Sequence, residues 1–129
     1  MPYKIKKISP SEYAIYCSLC DEQAGHFFVE TPKHSKEKTL SYFGIAAAAY
    51  LPMAELKTIA GMLDKGDIKN LHHYVKKFMP LEDGLDFFCP GCDKIYCRTH
   101  HRVREKFDQG FYDYATGTCP NGHERTIAD

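Results

Sequence analysis

The chain of 129 residues has no tryptophan, no long hydrophobic run and no surplus of charge of either sign. Its longest apolar stretch, Ile45-Ala-Ala-Ala-Ala-Tyr-Leu51, falls far short of the roughly 20 residues that a bilayer-spanning helix needs. Seventeen Lys and Arg balance seventeen Asp and Glu. That balance removes the general basic surplus with which proteins neutralise phosphates along nucleic acid, and leaves room only for a local patch. Met1-Pro-Tyr-Lys-Ile-Lys-Lys-Ile8 is basic but leads into no apolar segment of the kind a secretory signal carries. A soluble, cytoplasmic protein without membrane contact is expected. Phosphate-loop, HExxH and nucleobase-deaminase patterns are missing too. With 43% hydrophobic and 13% aromatic residues and no repeat, neither a disordered nor a fibrous chain is expected. The length suits one compact domain.

What the chain does have is six cysteines, and none is isolated. They fall into Cys17-Ser-Leu-Cys20, Cys89-Pro-Gly-Cys92, Cys97-Arg-Thr-His100 and Cys119-Pro-Asn-Gly-His123. Two or three residues between donors let a tight turn aim both side chains at one ion about 2.0–2.3 Å away, with turn amides bonding the sulfurs. Pro90 with Gly91, and Pro120 with Gly122, provide the restricted and the permissive backbone such turns use. Eight donors make two tetrahedral sites with nothing left over, so two structural zinc ions are expected. Six thiolates set against two divalent ions would bring the formal charge from zero to −2.

Other uses of these cysteines explain less. A disulfide framework leaves His100 and His123 without a role. A redox Cys89–Cys92 pair would need a surrounding βαβ unit, which the sequence does not offer. Iron suits a thiolate-rich tetrahedral site as well, but mixed Cys and His ligation favours zinc. A catalytic zinc keeps a position open for water, whereas four donors at each site close it, so no enzymatic role is expected. His101 competes with His100 as a ligand, and His26 and His34 are spare candidates better read as packed or solvated.

Along the chain, Tyr13–Tyr16 and His26–Glu30 read as strands that carry the first pair on a hairpin. Residues 36–79 have no cysteine and read as three helices. Leu40, Phe43, Ala47 and Tyr50 recur at helical spacing. Pro52 opens a second helix with Met53, Leu56, Ile59, Ala60 and Leu63 on one face, stopped by Gly66. Asp67 caps a third with Ile68, Leu71, Val75 and Phe78, ended by Pro80, while His72 and His73 are read as exposed. A short strand Ile95-Tyr96 precedes the third pair. A helix over His100–Phe107, stopped by Gly110, and a strand Phe111–Tyr114 complete the reading. The expected fold is α+β: one small zinc-stabilised domain over residues 1–129, with β-hairpin knuckles and residues 36–79 as a helical insertion between its zinc-binding halves.

Eight donors in four pairs can be shared sequentially, nested or interleaved. Cys89-Pro-Gly-Cys92, four residues, then Cys97-Arg-Thr-His100 with Tyr96 just before it, resembles the middle of FYVE-type and related cross-brace zinc fingers, the RING group among them. The resemblance covers residues 87–123, and more loosely 13–30. It implies interleaving, with Cys17, Cys20, Cys97 and His100 on one ion and Cys89, Cys92, Cys119 and His123 on the other; nested sharing is the alternative. The basic signature with which FYVE domains bind phosphoinositides is replaced here by Asp83-Gly-Leu-Asp-Phe-Phe-Cys89, so that activity is not implied. The absence of tryptophan likewise weakens a ubiquitin-ligase surface.

The functional expectation is a non-enzymatic protein-interaction module, its scaffold held by zinc and its contacts made by the 36–79 segment and exposed aromatics. One alternative is nucleic-acid binding through Arg98, His101, Arg102, Arg104 and Lys106, extended by Lys76 and Lys77, with Phe107, Phe111 and Tyr112 stacking on bases. Another is a RING-like ubiquitin-conjugation factor, on analogy of fold alone.

Overall fold

A computed structural model describes residues 3–33, 36–79 and 84–128, the last residue by its backbone only. The chain opens with five strands, β1 (Lys4–Ser9), β2 (Glu12–Tyr16), β3 (Gln23–Glu30), β4 (Thr39–Phe43) and β5 (Ala48–Leu51), which form an antiparallel meander in sequence order. A 3-10 turn (Met53–Glu55) leads into α1 (Leu56–Lys65) and then α2 (Ile68–Val75). The C-terminal part holds a two-stranded ribbon, β6 (Phe88–Cys89) with β7 (Lys94–Ile95), and a three-stranded sheet of β8 (Arg104–Asp108), β9 (Phe111–Thr118) and β10 (Glu124–Ala128), in the order β10-β9-β8. The fold is thus mostly β with two helices.

Alternation decides which face of the meander is covered. Tyr13 and Ile15 on β2, Phe27 on β3, Leu40 and Tyr42 on β4, and Leu51 on β5 point one way and are buried. Ile59 and Leu63 of α1 and Ile68, Leu71 and Val75 of α2 pack onto them, and Leu85, Phe87, Phe88, Ile95, Ala115 and Ile127 join the same core from the C-terminal part. Burying this set removes on the order of 1.5–3 kcal/mol of unfavourable hydration per large side chain.

Three expectations are corrected. The first expected helix does not form: Leu40, Phe43, Ala47 and Tyr50 belong to β4, β5 and the turn between them. The period there is two, because Leu40 and Tyr42 go inward while Phe43 faces out at 47% exposure. The 36–79 segment therefore begins with two strands before its helices, and those strands complete the N-terminal sheet instead of standing apart from it. The helix over His100–Phe107 is replaced by a turn and then β8. Arg102 takes a positive φ of 43°, which no helix tolerates. Gly110 (φ 86°) follows Gln109 (φ 52°) at the tip of the β8–β9 hairpin, the pattern of a type I′ turn. Finally, His72 is fully buried, unlike its exposed neighbour His73. Position 72 lies four residues after Ile68, on the inward stripe of α2, where its Nδ1 accepts the Leu85 N–H at 3.0 Å and its ring packs 5.1 Å from Phe88.

The other two helices form with shifted ends, α2 stopping at Val75 so that Phe78 falls in the turn after it. A turn begins at Pro52, α1 ends at Gly66, and α2 starts after Asp67. Asp67 makes no side-chain cap bond; its carboxylate accepts instead from the Asn70 amide at 2.8 Å. Pro80 and His34 lie outside the described residues.

Candidate metal centres

The four Cys/His pairs converge into two groups of four: Cys17, Cys20, Cys97 and His100 in one, Cys89, Cys92, Cys119 and His123 in the other. First is joined with third and second with fourth, the interleaved partition. Within each group the donor atoms all lie within 4.8 Å of one another.

Local structure explains how each pair is aimed. Cys17 and Cys20 sit in the turn between β2 and β3, closed by the Cys17 N–H to the Glu22 carbonyl at 2.9 Å. That turn is also tied to β7, because the Ser18 N–H donates to the Ile95 carbonyl (2.7 Å) and the Ile95 N–H donates to Ser18 Oγ (3.2 Å). Cys97 and His100 lie in the turn after β7, where the His101 N–H donates to the Cys97 carbonyl at 2.9 Å. Cys89 and Cys92 occupy the β6–β7 turn, with the Asp93 N–H on the Cys89 carbonyl at 2.8 Å. Cys119 and His123 flank the β9–β10 turn, where the Cys119 N–H meets the His123 carbonyl at 3.0 Å. A Cβ at position 91 would stand 2.9 Å from the His123 ring, so glycine there lets the imidazole reach the Cys89–Cys92 turn.

The spacing fits an ion. Cys20 Sγ lies 3.7 Å from Cys97 Sγ, and Cys92 Sγ lies 3.7 Å from Cys119 Sγ. A disulfide would need about 2.05 Å, whereas a regular tetrahedron with arms of about 2.3 Å has edges of about 3.8 Å. His100 Nδ1 stands 3.3 to 3.6 Å from the three sulfurs of its group, and His123 Nδ1 stands 3.2 to 3.5 Å from those of its own. All six cysteines are free thiols. N–H groups point at the sulfurs from outside: Leu19 on Cys17 (3.4 Å), the Asn121 amide on Cys92 (3.1 Å) and His123 on Cys119 (3.3 Å). This is the outer hydrogen-bonding expected around thiolate ligands.

Electrostatics point the same way, because each group divides its acidity unevenly. Burial alone would raise Cys17, but the amides of Leu19, Cys97 and Cys20 outweigh it and bring the thiol down to about 7. The Glu22 amide pulls on Cys20, yet burial and the neighbouring sulfurs push it up to about 11. In the second group burial raises Cys89 to about 11, helped by the Cys119 and Cys92 sulfurs. Cys92, opposed by burial, falls to about 6 under the Asn121 amide and the Tyr96 hydroxyl. Three sulfurs this close cannot all carry charge without a cation among them, so each group could hold one.

His101 is not a donor to either group. It is buried, its Nδ1 lies 3.1 Å from the Tyr96 carbonyl, and its Nε2 has no hydrogen-bond partner. Burial, with Arg125 nearby, lowers its pKa to about 4. His26 pairs with Glu12 at 2.8 Å and stacks on Phe28, away from both groups. Of the expected basic cluster, Arg102, Arg104 and Lys106 are exposed, but two members are engaged elsewhere. Arg98 donates to the Ile45 carbonyl at 2.9 Å and pairs with Glu105 at 3.6 Å, while His101 is buried and held neutral. Sequence reasoning missed Asp86, a buried carboxylate that accepts from Tyr42 Oη (2.9 Å) and the N–H groups of Ile45 (3.0 Å), Ala46 (2.8 Å) and Ala47 (2.7 Å). No local motif marks it, because all of its partners lie about forty residues away in sequence.

Fold and site together define a small, mostly β chain with two Cys3His groups able to hold metal ions. The chain belongs to the family described as Domain of unknown function (DUF8328), whose model matches residues 6–129. No curated protein and no solved structure matches it. No helix among the described residues is long and apolar enough to cross a membrane.

Proposed function

We propose that both groups bind zinc, that the ions are structural, and that the protein is a non-enzymatic protein-interaction module. The observation that carries this reading is the closure of each site. Four protein donors at tetrahedral spacing leave a bound ion no position for water or substrate. Such an ion contributes folding energy, on the order of 10–16 kcal/mol per site. The partition of the pairs fits a cross-brace scaffold.

The helices turn their apolar stripes into the core, so the contact surface lies elsewhere. The β8–β9 hairpin suits it best. Every residue of β8 is exposed, and Phe107, Phe111 and Tyr112 stand 62%, 77% and 50% exposed near the tip. Phe107 and Tyr112 meet edge to face across the strands at 6.3 Å, a rigid aromatic pair of the kind that anchors interfaces. Glu105, Asp108 and Asp113 alternate with Arg104 and Lys106, which favours a protein over a phosphate backbone.

The test has two stages. Native mass spectrometry with thiol counting should find two zinc ions and no disulfide. The zinc-loaded protein should then crosslink to a partner that the Phe107→Ser/Phe111→Ser variant, still carrying two zinc ions, no longer holds. Binding of single-stranded oligonucleotide that weakens steeply with salt would turn the assignment to nucleic acid. A chain that folds without metal would overturn the scaffold.

A further inference from the structure

The meander has two outer strands, and the sequence treats them differently. β1 (Lys4-Ile-Lys-Lys-Ile-Ser9) carries three lysines, the usual protection of a free edge against pairing with another chain. β5 (Ala48-Ala-Tyr-Leu51) carries no charge, and no strand among the described residues pairs with its outer side. It ends the longest apolar run of the chain, which the core does not fully absorb: Ala48 and Tyr50 are exposed, Tyr50 at 63%.

The ladder fixes which backbone groups are free. The Gly44 N–H donates to the Ala47 carbonyl at 2.8 Å, so this is a hydrogen-bonded pair. Pairs then alternate along the hairpin. Tyr42 with Ala49 and Leu40 with Leu51 are hydrogen-bonded, whereas Phe43 with Ala48 and Ser41 with Tyr50 are not. The N–H and C=O groups of Ala48 and Tyr50 therefore point outward. The same two side chains lie on the sheet face turned away from the core, with Ser41 and Phe43. There Ser41, Phe43, Ala48 and Tyr50 border a depression of about 110 Å³. On that face the rings of Phe43 and Phe28 stack at 5.7 Å, continuing the pair of His26 and Phe28.

We propose that β5 pairs with β5 of a second copy of this chain about a twofold axis at Ala49, joining the two five-stranded sheets into one. The geometry is self-complementary. Centred on Ala49, an antiparallel pairing sets Ala48 opposite Tyr50 of the second copy and Tyr50 opposite Ala48 of the second copy. All the outward N–H and C=O groups of both residues are then used, in four hydrogen bonds. The side chains of each such pair fall on the same face. Ala48 lies between its own cross-strand neighbour Phe43 and the incoming Tyr50, so the small side chain leaves the depression for that ring to fill. An isologous contact of this kind brings no like charges together, which pairing through the lysines of β1 would do. This inference is independent of the interaction-module reading, since it needs no partner but the chain itself.

Sedimentation of the metal-loaded protein tests it. The mass should rise from 14.8 kDa toward twice that value as concentration increases through the micromolar to millimolar range. Ala48→Lys, which places a charge on the exposed edge, should remain monomeric throughout while keeping the wild-type metal content and circular dichroism. Tyr50→Ala should weaken self-association by about tenfold or more, because the twofold axis removes the aromatic contact at both symmetry-related positions. Amide exchange supplies a readout that needs no variant. The N–H groups of Ala48 and Tyr50 should exchange quickly in dilute solution and become protected on concentration, whereas those of Ala49 and Leu51 stay protected in both. A constant mass of 14.8 kDa overturns the proposal, and so does a dimer that forms equally well in Ala48→Lys. An edge that stays open to its own copy but takes an extended segment of another protein overturns it as well.

Discussion

Asp86 shows how one side chain can hold two distant parts of the chain in register. Its carboxylate lies in the core beside Tyr42 and caps three successive N–H groups in the β4–β5 turn, those of the buried Ile45 and Ala47 among them. Burial pushes its pKa up from the ordinary carboxylate range, and the amides of Ala47, Ala46 and Ile45 with the Tyr42 hydroxyl pull against that. Gly44 completes the arrangement. A Cβ there would stand 1.9 Å from Asp86 Oδ1, so any other residue would displace the carboxylate. Every partner of Asp86 is a donor, which makes Asp86→Asn a sharp test. The amide would turn an NH2 group toward two of the donors and leave them buried without an acceptor. A loss of about 2–4 kcal/mol in unfolding free energy is expected, measured by denaturant titration at saturating zinc. A loss under about half a kcal/mol, the size of an ordinary surface change, would show that the turn does not depend on this carboxylate.

At the scale of elements, the knuckles were legible in the sequence, as were the strands β2 and β3 and the start of β9, whereas the β4–β5 hairpin and β8 were not. Short spacing within each Cys/His pair is a local property, so the turns at 17–20, 89–92, 97–100 and 119–123 could be read directly. So could α1 and α2, whose apolar residues repeat at helical intervals and whose ends carry Pro52 and Gly66. The β4–β5 hairpin was hidden because Leu40, Phe43, Ala47 and Tyr50 fit a helical period by chance. The turn between them is fixed by Asp86 from outside, which no local pattern announces. The β8–β9 hairpin was hidden for a different reason: β8 buries nothing, so it shows no apolar alternation to detect. Its only local signal is the Gln109-Gly110 tip. If that turn holds the arm together, Gly110→Val, which forces a β-branched residue into φ 86°, should cost about 1–3 kcal/mol locally. Amide exchange in Lys106, Phe107 and Tyr112 should quicken accordingly. The global unfolding midpoint should move little, because the residues of the arm make almost no core. A large fall in that midpoint would mean that the arm is part of the cooperative unit and not an appendage.

For the whole molecule, the two Cys3His groups do unequal work. The first joins residues up to 83 positions apart in sequence (Cys17 with His100), and the second joins residues up to 34 apart (Cys89 with His123). If both hold zinc, chelation should unfold the chain in one cooperative step, because each ion fastens a different part to a shared core in which Phe87, Ile95 and Ile127 pack with the residues of the meander. Losing one ion should distinguish the two sites. Cys97→Ser opens the long loop between the N-terminal hairpin and the 97–100 turn, while Cys119→Ser opens only the shorter one. Closure entropy grows with the logarithm of loop length, so the first variant should be the less stable by about 1 kcal/mol on this ground alone. Each variant should retain a single zinc ion by native mass spectrometry, and denaturant unfolding at fixed free zinc gives the comparison. The reverse order, with Cys119→Ser the less stable, would mean that the meander is held to the C-terminal part mainly by packing. The second ion would then be the one on which the β9–β10 sheet, and the exposed arm it carries, depends for its shape.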